Sequence, residues 1–309
     1  MDEPLLLHSL LEHRDLIFGC LDAAGARRIV EIGSETGGFT KALVDWASEH
    51  GATVATVEPR PTAEIARLAE SNEHFELVEG RSPDALAEAG AADVYVIDGD
   101  HNYWTVSREL EIAFAETPTL AVLHDVGWPC ARRDQYYAPD ALPADAVHPH
   151  SFDKGRAPDE PGLVDGGFRG AGEFAVADRE GGPANGVLTA VEDFVSGRAD
   201  LCYRHVPTIF GVGFVYPKEA PYARRIGTRL APWHDNPFLA RLERNRIRLY
   251  AQVLHLQDRV AAQRVRHNRV VLDYEDRLAT ARAEVDSMRL ERARLLERLD
   301  GAGSAQPAR

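Results

Sequence analysis

Two short stretches of the chain end apolar runs in ionisable side chains. In "DVYVIDGDHNYW", residues 93–104, the run Val94 to Ile97 stops at Asp98, Asp100 and His101. In "VLHDV", residues 122–126, the run stops at His124 and Asp125. Carboxylate oxygens are the ligands that hard divalent cations favour. An imidazole is the side chain whose ordinary pKa lies nearest neutrality. His101 or His124 could therefore serve as a general base. The competing reading is structural, with Asp100 capping the helix that follows and His101 packing over it.

A glycine cluster precedes them. In "VEIGSETGGFT", residues 30–40, Gly33, Gly37 and Gly38 let the backbone turn tightly and approach a ligand without a Cβ in the way. The spacing is not the dinucleotide fingerprint GxGxxG. Glu31 stands just before the turn, and Glu58 ends the next apolar run, "TVATVEP". A carboxylate at that second strand end can take ribose hydroxyls. Turn glycines and solvated acids are the plainer alternative. Their recurrence in consecutive units favours a cofactor pocket.

The elements that must position these groups alternate in period. "RRIVEIG" (27–33), "TVATVEP" (53–59), "HFELVEG" (74–80), "DVYVIDG" (93–99) and "TLAVLHDV" (119–126) read as buried strands, with helical spacing between them. Continuous apolar strands alternating with helices predict a parallel sheet covered on both faces. A helix is expected over 185–197, then strands 201–207 and 208–218, too tightly joined to be parallel. The expected fold is α/β, a Rossmann-like doubly wound, mostly parallel seven-stranded sheet with an antiparallel last strand. Ligands in such sheets bind outside the carboxyl ends of the strands.

Residues 127–184 break the pattern and are rich in Pro, Gly, Asp and Arg, which marks a functional or disordered insertion on the substrate side. Within it, Arg132 and Arg133 could clamp a carboxylate or phosphate, and Tyr136 and Tyr137 could cover a ring. Packing against the domain is the equal alternative for all four. His148 and His150 are expected to be solvated. The remaining organisation is an N-terminal helical segment (1–24), a linker (219–237), a long helix (238–300) and a disordered tail (301–309). In the long segment Leu242, Leu249, Val253, Leu256 and Val260 recur at helical spacing, and Val285, Met288, Leu295 and Leu299 resume the stripe after Gln263 and His267 interrupt it. A coiled coil is expected, with a hairpin onto the catalytic domain as the alternative.

Composition narrows the class. The 309 residues carry a net charge of −14, against the basic footprint of a nucleic-acid binder. Cys20, Cys130 and Cys202 are far apart with no CxxC pairing, so a reducing, cytoplasmic setting is the default. "LLLHSLL" is a poor signal peptide, and no apolar run approaches a membrane span.

"VEIGSETGG", "TVEP", "EGRSPDAL", "VIDGDHNY" and "VLHDV" together resemble the successive motifs of class I S-adenosylmethionine-dependent methyltransferases, in particular the small-molecule O-methyltransferase branch with a D-G-D-H-x-Y motif. The resemblance covers about residues 25–126, within a domain expected over 25–218. It implies that Glu31, Gly33 and Gly37 shape the methionine pocket, that Glu58 holds the ribose and that Arg81 and Ser82 lie near the adenine. Asp98 would sit beside the methionine and the reaction centre, with His101, Asp98 and His124 as the catalytic set. Related enzymes hold a divalent metal at the same two strand ends, which implies Asp98 and Asp125 as ligands with His124 or Asp100 as a third. Val126 departs from the Asn that follows the aspartate in catechol-type enzymes. The expected activity is S-adenosylmethionine-dependent O-methylation of a small polar metabolite or secondary-metabolite intermediate, with a sugar hydroxyl as one reasonable acceptor. N-methylation is the rival reaction, and a non-catalytic scaffold displaying a coiled coil is the rival from another class. The expected partners are that acceptor and a second copy of the chain, joined through the long helix, with no nucleic acid and no membrane.

Overall fold

The computed structural model describes residues 9–115 and 119–303, with side chains through 299. Its parallel strands are β1 (Arg28–Ile32), β2 (Thr53–Glu58), β3 (Phe75–Glu79), β4 (Val94–Ile97) and β5 (Leu120–Leu123). Around them run α1 (Arg14–Ala24), α2 (Gly38–His50), α3 (Ala63–Ser71) and α4 (Tyr103–Ala113). After the insertion come α5 (Val187–Ser196) and the two strands that close the sheet, β9 (Leu201–Val206) and β10 (Val212–Pro217). The sheet order is β3-β2-β1-β4-β5-β10-β9, and β10 alone runs antiparallel, to β5 and to β9. The expected seven-stranded architecture is therefore the one observed. Strand order reverses between β1 and β4, the switch point where such sheets bind ligands.

Both faces of the sheet are covered. Ile29, Val54 and Val96 belong to the cluster with α1, α2, Ile226 and Leu230, and Val30, Tyr95 and Leu123 face α4 and α5. The residues of β1, β4 and β5 are almost wholly buried, which is why β4 and β5 read as unbroken apolar runs and β1 as one interrupted only by Glu31.

Two segments differ from expectation. The insertion carries a small sheet of β6 (Gln135–Tyr136), β7 (His150–Ser151) and β8 (Ala175–Ala177), in the order β6-β8-β7. Polar groups organise it, which explains its lack of hydrophobic period. Arg156 is 1 % exposed, donates to Gln135 at 2.7 Å and lies over the Phe168 ring at 4.8 Å. The expected linker contains α6 (Ala223–Leu230), whose buried Ile226 and Leu230 join the core cluster of Ile17 and Leu21 on α1. Of the expected N-terminal helical segment, a turn at Leu10–His13 and α1 are present, and residues 1–8 lie outside the described residues.

The final helix α7 (Pro237–Gly303) is continuous over 67 residues. The helix thus includes the first residues of the expected tail, and 304–309 lie outside the described residues. The chain divides into compact units between Gln252 and Val253. In the first unit Glu243 and Ile247 are buried, and Glu243 accepts a hydrogen bond from Phe210 N at 2.9 Å. In the second, the described helix side chains are exposed apart from the half-buried Leu254 and Asp258. Among the described residues no helix is long and apolar enough to cross a membrane.

Candidate active site at the switch point

The turn after β1 is shaped by two neighbours. Gly33 has φ of 85°, and a Cβ there would collide with the Asp98 carbonyl and Gly99, so only glycine lets the ends of β1 and β4 approach this closely. Gly37 has φ of 84°, and the space its missing side chain leaves is filled by Ile65. Glu31 is buried beneath this turn, and Thr56 Oγ1 donates to it at 2.6 Å. Burial pushes its carboxyl up to about 8, although the Thr56 and Thr40 hydroxyls pull the other way.

Glu58 faces the turn from the end of β2. Its carboxylate accepts from Ser34 N at 2.9 Å, Ser34 Oγ at 3.1 Å and Arg60 N at 2.9 Å. This carboxylate is half-buried and preformed as an acceptor. Arg81 is exposed after β3, and Ser82 beside it is half-buried. The fully buried Glu109 of α4 lies near Ser82, and burial pushes this acid up to about 8.

The ends of β4 and β5 bring Asp98, His101 and Asp125 together, with one potential ligand atom from each within 4.8 Å of the others. His101 Nε2 is 3.3 Å from Asp125 Oδ2. Asp125 has φ of 57°, a conformation a non-glycine residue adopts at an energetic cost and one that clusters at functional sites. Its other oxygen, Oδ1, is buried without a hydrogen-bond partner. An orphaned carboxylate oxygen beside a second carboxylate and an imidazole fits the donor set of a divalent cation.

His124 has a different place from the one expected. Its Nδ1 meets Asp98 Oδ1 at 3.1 Å, and its Nε2 lies 2.9 Å from the Ile209 carbonyl. Both partners are acceptors, so the ring is held as a donor on both sides. Burial pulls its pKa down, but Asp98 and Asp125 outweigh that and carry it up to about 10. Both ring nitrogens are thus taken, by Asp98 and by the Ile209 carbonyl, and His124 is not among the residues whose ligand atoms converge, so the geometry favours His101 over it for the ligand and base roles. The ring holds the Asp98 carboxylate in place. Behind it, His13 bonds Thr208 at 2.9 Å. Burial first, and then the His124 charge, lower His13 to about 4 and keep it neutral.

Asp100 is not the helix cap either. Asn102 caps α4, accepting from Thr105 N at 2.9 Å. Asp100 accepts from Tyr137 N at 3.2 Å, and burial raises it to about 6. Of the four expected substrate residues, Tyr137 alone faces the cluster, its ring 6.2 Å from that of His101. Arg132 reaches away to Glu192 and Thr189 on α5. Arg133 is 1 % exposed and donates to the carbonyls of Pro161 and Ala177. Tyr136 is buried and donates to Asp134 at 2.8 Å. His148 and His150 bond backbone carbonyls, of Ala184 and of His148.

Two features escaped the sequence reading. Asp134 is fully buried and ties the insertion to the site, accepting from Tyr103 N at 2.8 Å and Gly186 N at 2.6 Å. A half-exposed aromatic wall continues from Tyr137 to Phe174, with rings 5.9 Å apart, and on through Phe168 to Trp128. The WPCARRDQYY cluster carried a trace of the wall, but nothing local marks Phe168 or Phe174 as its neighbours.

Residues 30–126 match the family model described as a methyltransferase domain. No curated protein matches the chain by sequence. Among solved structures it is similar to cofactor-bound Rv0187 from MTB, at 19 % identity over 70 % of this chain and 84 % of that one, with a TM-score of 0.40. It is also similar to the SAH-bound methyltransferase PaMTH1 of Podospora anserina, at 17 % identity over 68 % and 80 % with a TM-score of 0.43. A third is the Bacillus cereus O-methyltransferase in complex with SAH, at 15 % identity over 70 % and 84 % with a TM-score of 0.39. The match over residues 30–126 thus lies on a mostly parallel seven-stranded sheet with one antiparallel strand, the α/β methyltransferase fold.

Proposed function

We propose that the protein is an S-adenosylmethionine-dependent O-methyltransferase acting on a small acceptor. The observation that carries the reading is the meeting of Asp98, His101 and a strained, half-orphaned Asp125 at the switch point. The preformed Glu58 acceptor on the other side of the Gly33 turn supports the cofactor assignment. When bound, the cofactor supplies an electrophilic methyl on a sulfonium. The chain's part is to hold the ribose at Glu58, to keep Asp98 oriented through His124 and to receive the acceptor between His101 and Tyr137. Asp98, His101 and Asp125 would hold a divalent cation, which lowers the pKa of an acceptor hydroxyl.

A second reading rests on the 3.3 Å His101–Asp125 contact. In it, Asp125 orients the imidazole and His101 Nε2 takes the hydroxyl proton as the oxygen–methyl bond forms and the sulfur–methyl bond breaks. The aromatic wall supports an acceptor with a planar or apolar part next to its hydroxyl. A small polar metabolite such as a sugar is the simpler form of the same proposal.

Calorimetry with S-adenosylmethionine, with and without Mg²⁺ or Mn²⁺, tests the reading. Binding is expected. Its absence under both conditions would favour a non-catalytic scaffold. A screen of hydroxyl and amine acceptors, scored by S-adenosylhomocysteine release, separates O- from N-methylation. We also propose a cytoplasmic homodimer joined through α7, which is supported by the three free cysteines and by the exposed stripe on that helix.

A further inference from the structure

The second unit of the chain, from Val253 onward, is helix along its described length, and its large apolar side chains other than the half-buried Leu254 are exposed, from 39 % at Val271 to 68 % at Leu299. A helix of this kind gains its stability from packing an apolar face. The face is more regular than its interruptions suggest. Positions 253, 256, 260, 263, 267, 270 and 274 follow one another at alternating spacings of three and four. At Tyr274 a second four-residue step is inserted, a stutter, and the alternation then resumes through 278, 281, 285, 288, 292 and 295. Within this set only Gln263, His267 and Arg292 are not apolar. The spacing is a palindrome, reading identically in both directions from Tyr274.

We infer that this face pairs with the same face of a second copy in antiparallel register, with Tyr274 on the two-fold axis. The inference deepens the homodimer reading above and rests on it. A palindromic seam is what an isologous interface between antiparallel helices requires, because every seam position then meets the one equally far on the other side of the axis. Val260 would face the partner's Met288, Val253 the partner's Leu295 and Val270 the partner's Leu278. Arg292 would face the partner's Leu256, where the guanidinium can extend past the leucine to water. In a parallel pair the two Arg292 side chains would oppose each other across the seam.

Charge selects the same orientation. The flank immediately preceding the first position of each repeat carries Arg259, Arg266, Asp273, Arg277, Glu284 and Glu291. These signs invert under reversal about the axis. Arg259 meets the partner's Glu291, Arg266 the partner's Glu284, and Asp273 the partner's Arg277, each occurring twice by symmetry. Flanking charges of this kind set orientation and partner choice in coiled coils. One like pair, Arg264 with the partner's Arg282, stands against these contacts. A parallel pair would set Arg259 beside the partner's Arg264 and Arg277 beside the partner's Arg282, with only Glu284 and the partner's Arg289 attracting.

The test uses the full-length chain. Light scattering should give twice the protomer mass. Val260→Cys and Met288→Cys are prepared separately, oxidised mildly alone and as an equal mixture, and run on a non-reducing gel beside the unsubstituted chain, which controls for Cys20, Cys130 and Cys202. The expected result is a disulfide-linked dimer in the mixture and none with either variant alone. Cross-linking of a single variant with itself would make the pair parallel and overturn the inference, while leaving the homodimer intact. A dimer mass with no cross-link in any sample would place the interface elsewhere and overturn it equally. A monomer mass would overturn the homodimer and the register together.

Discussion

Glu58→Gln separates a ribose acceptor from a loop fastener. The carboxylate offers about four acceptor positions, and three are occupied by Ser34 N, Ser34 Oγ and Arg60 N at 2.9–3.1 Å. A ribose diol brings two donors. One can take the free position, and the other can displace the Ser34 hydroxyl, which is free to rotate and is replaced at little cost. Glutamine keeps the shape but has only one acceptor oxygen. If that oxygen stays on Ser34 N, the new NH₂ faces Arg60 N donor to donor, and one ribose hydroxyl loses its charged partner. A hydrogen bond to a charged group is worth about 1.5–3 kcal/mol, which corresponds to binding roughly 10- to 150-fold weaker. Calorimetry with S-adenosylmethionine and with S-adenosylhomocysteine should show this loss for both, because the ribose is common to them. Circular dichroism checks that the fold survives. If affinity is unchanged in a folded variant, Glu58 does not hold the ribose, and its role is to fasten the Ser34–Arg60 turn.

Asp125→Asn should keep the fold, because asparagine also tolerates positive φ, and should abolish stimulation by a divalent cation. Full native activity in excess chelator, with no metal by elemental analysis, would refute the cation reading and leave the His101–Asp125 pair as the base. Glu109 is held up to about 8 in the fold from an ordinary 4.5. The folded protein therefore binds the extra proton between those values, and the stability this acid contributes is present at low pH and lost as pH rises through about 8. Thermal melts of Glu109→Gln should accordingly fall less than those of the native protein across that window, and parallel curves would show that the carboxyl ionises at its ordinary value. Arg133→Ala removes the donor that Pro161 and Ala177 share and should destabilise the insertion by about 1–3 kcal/mol. Arg132→Ala, at a half-exposed pair with Glu192, should cost under about 1 kcal/mol. Equal melting temperatures for the two variants would contradict the buried assignment of Arg133.

The sheet and the location of its crevice were legible in the sequence because burial on both faces leaves an unbroken mark. Val94 to Ile97 and Leu120 to Leu123 are apolar at every position since the sheet has no solvent side there. Once those strands are parallel, Asp98 and Asp125 must share an edge, and Gly33 is readable as a turn that tolerates no Cβ. The different surroundings of His101 and His124 were not legible. They are decided by the Ile209 carbonyl, which reaches His124 across 85 positions of sequence and uses up its second nitrogen. The insertion was opaque for a related reason. Arg132, Arg133, Tyr136 and Tyr137 are near neighbours in the chain, yet they point respectively to α5, to buried carbonyls, to Asp134 and to the site. Hydrophobic burial repeats with the period of the backbone and so can be read locally. A hydrogen bond is satisfied by whichever group the fold brings within about 3 Å, and only the tertiary structure decides which group that is.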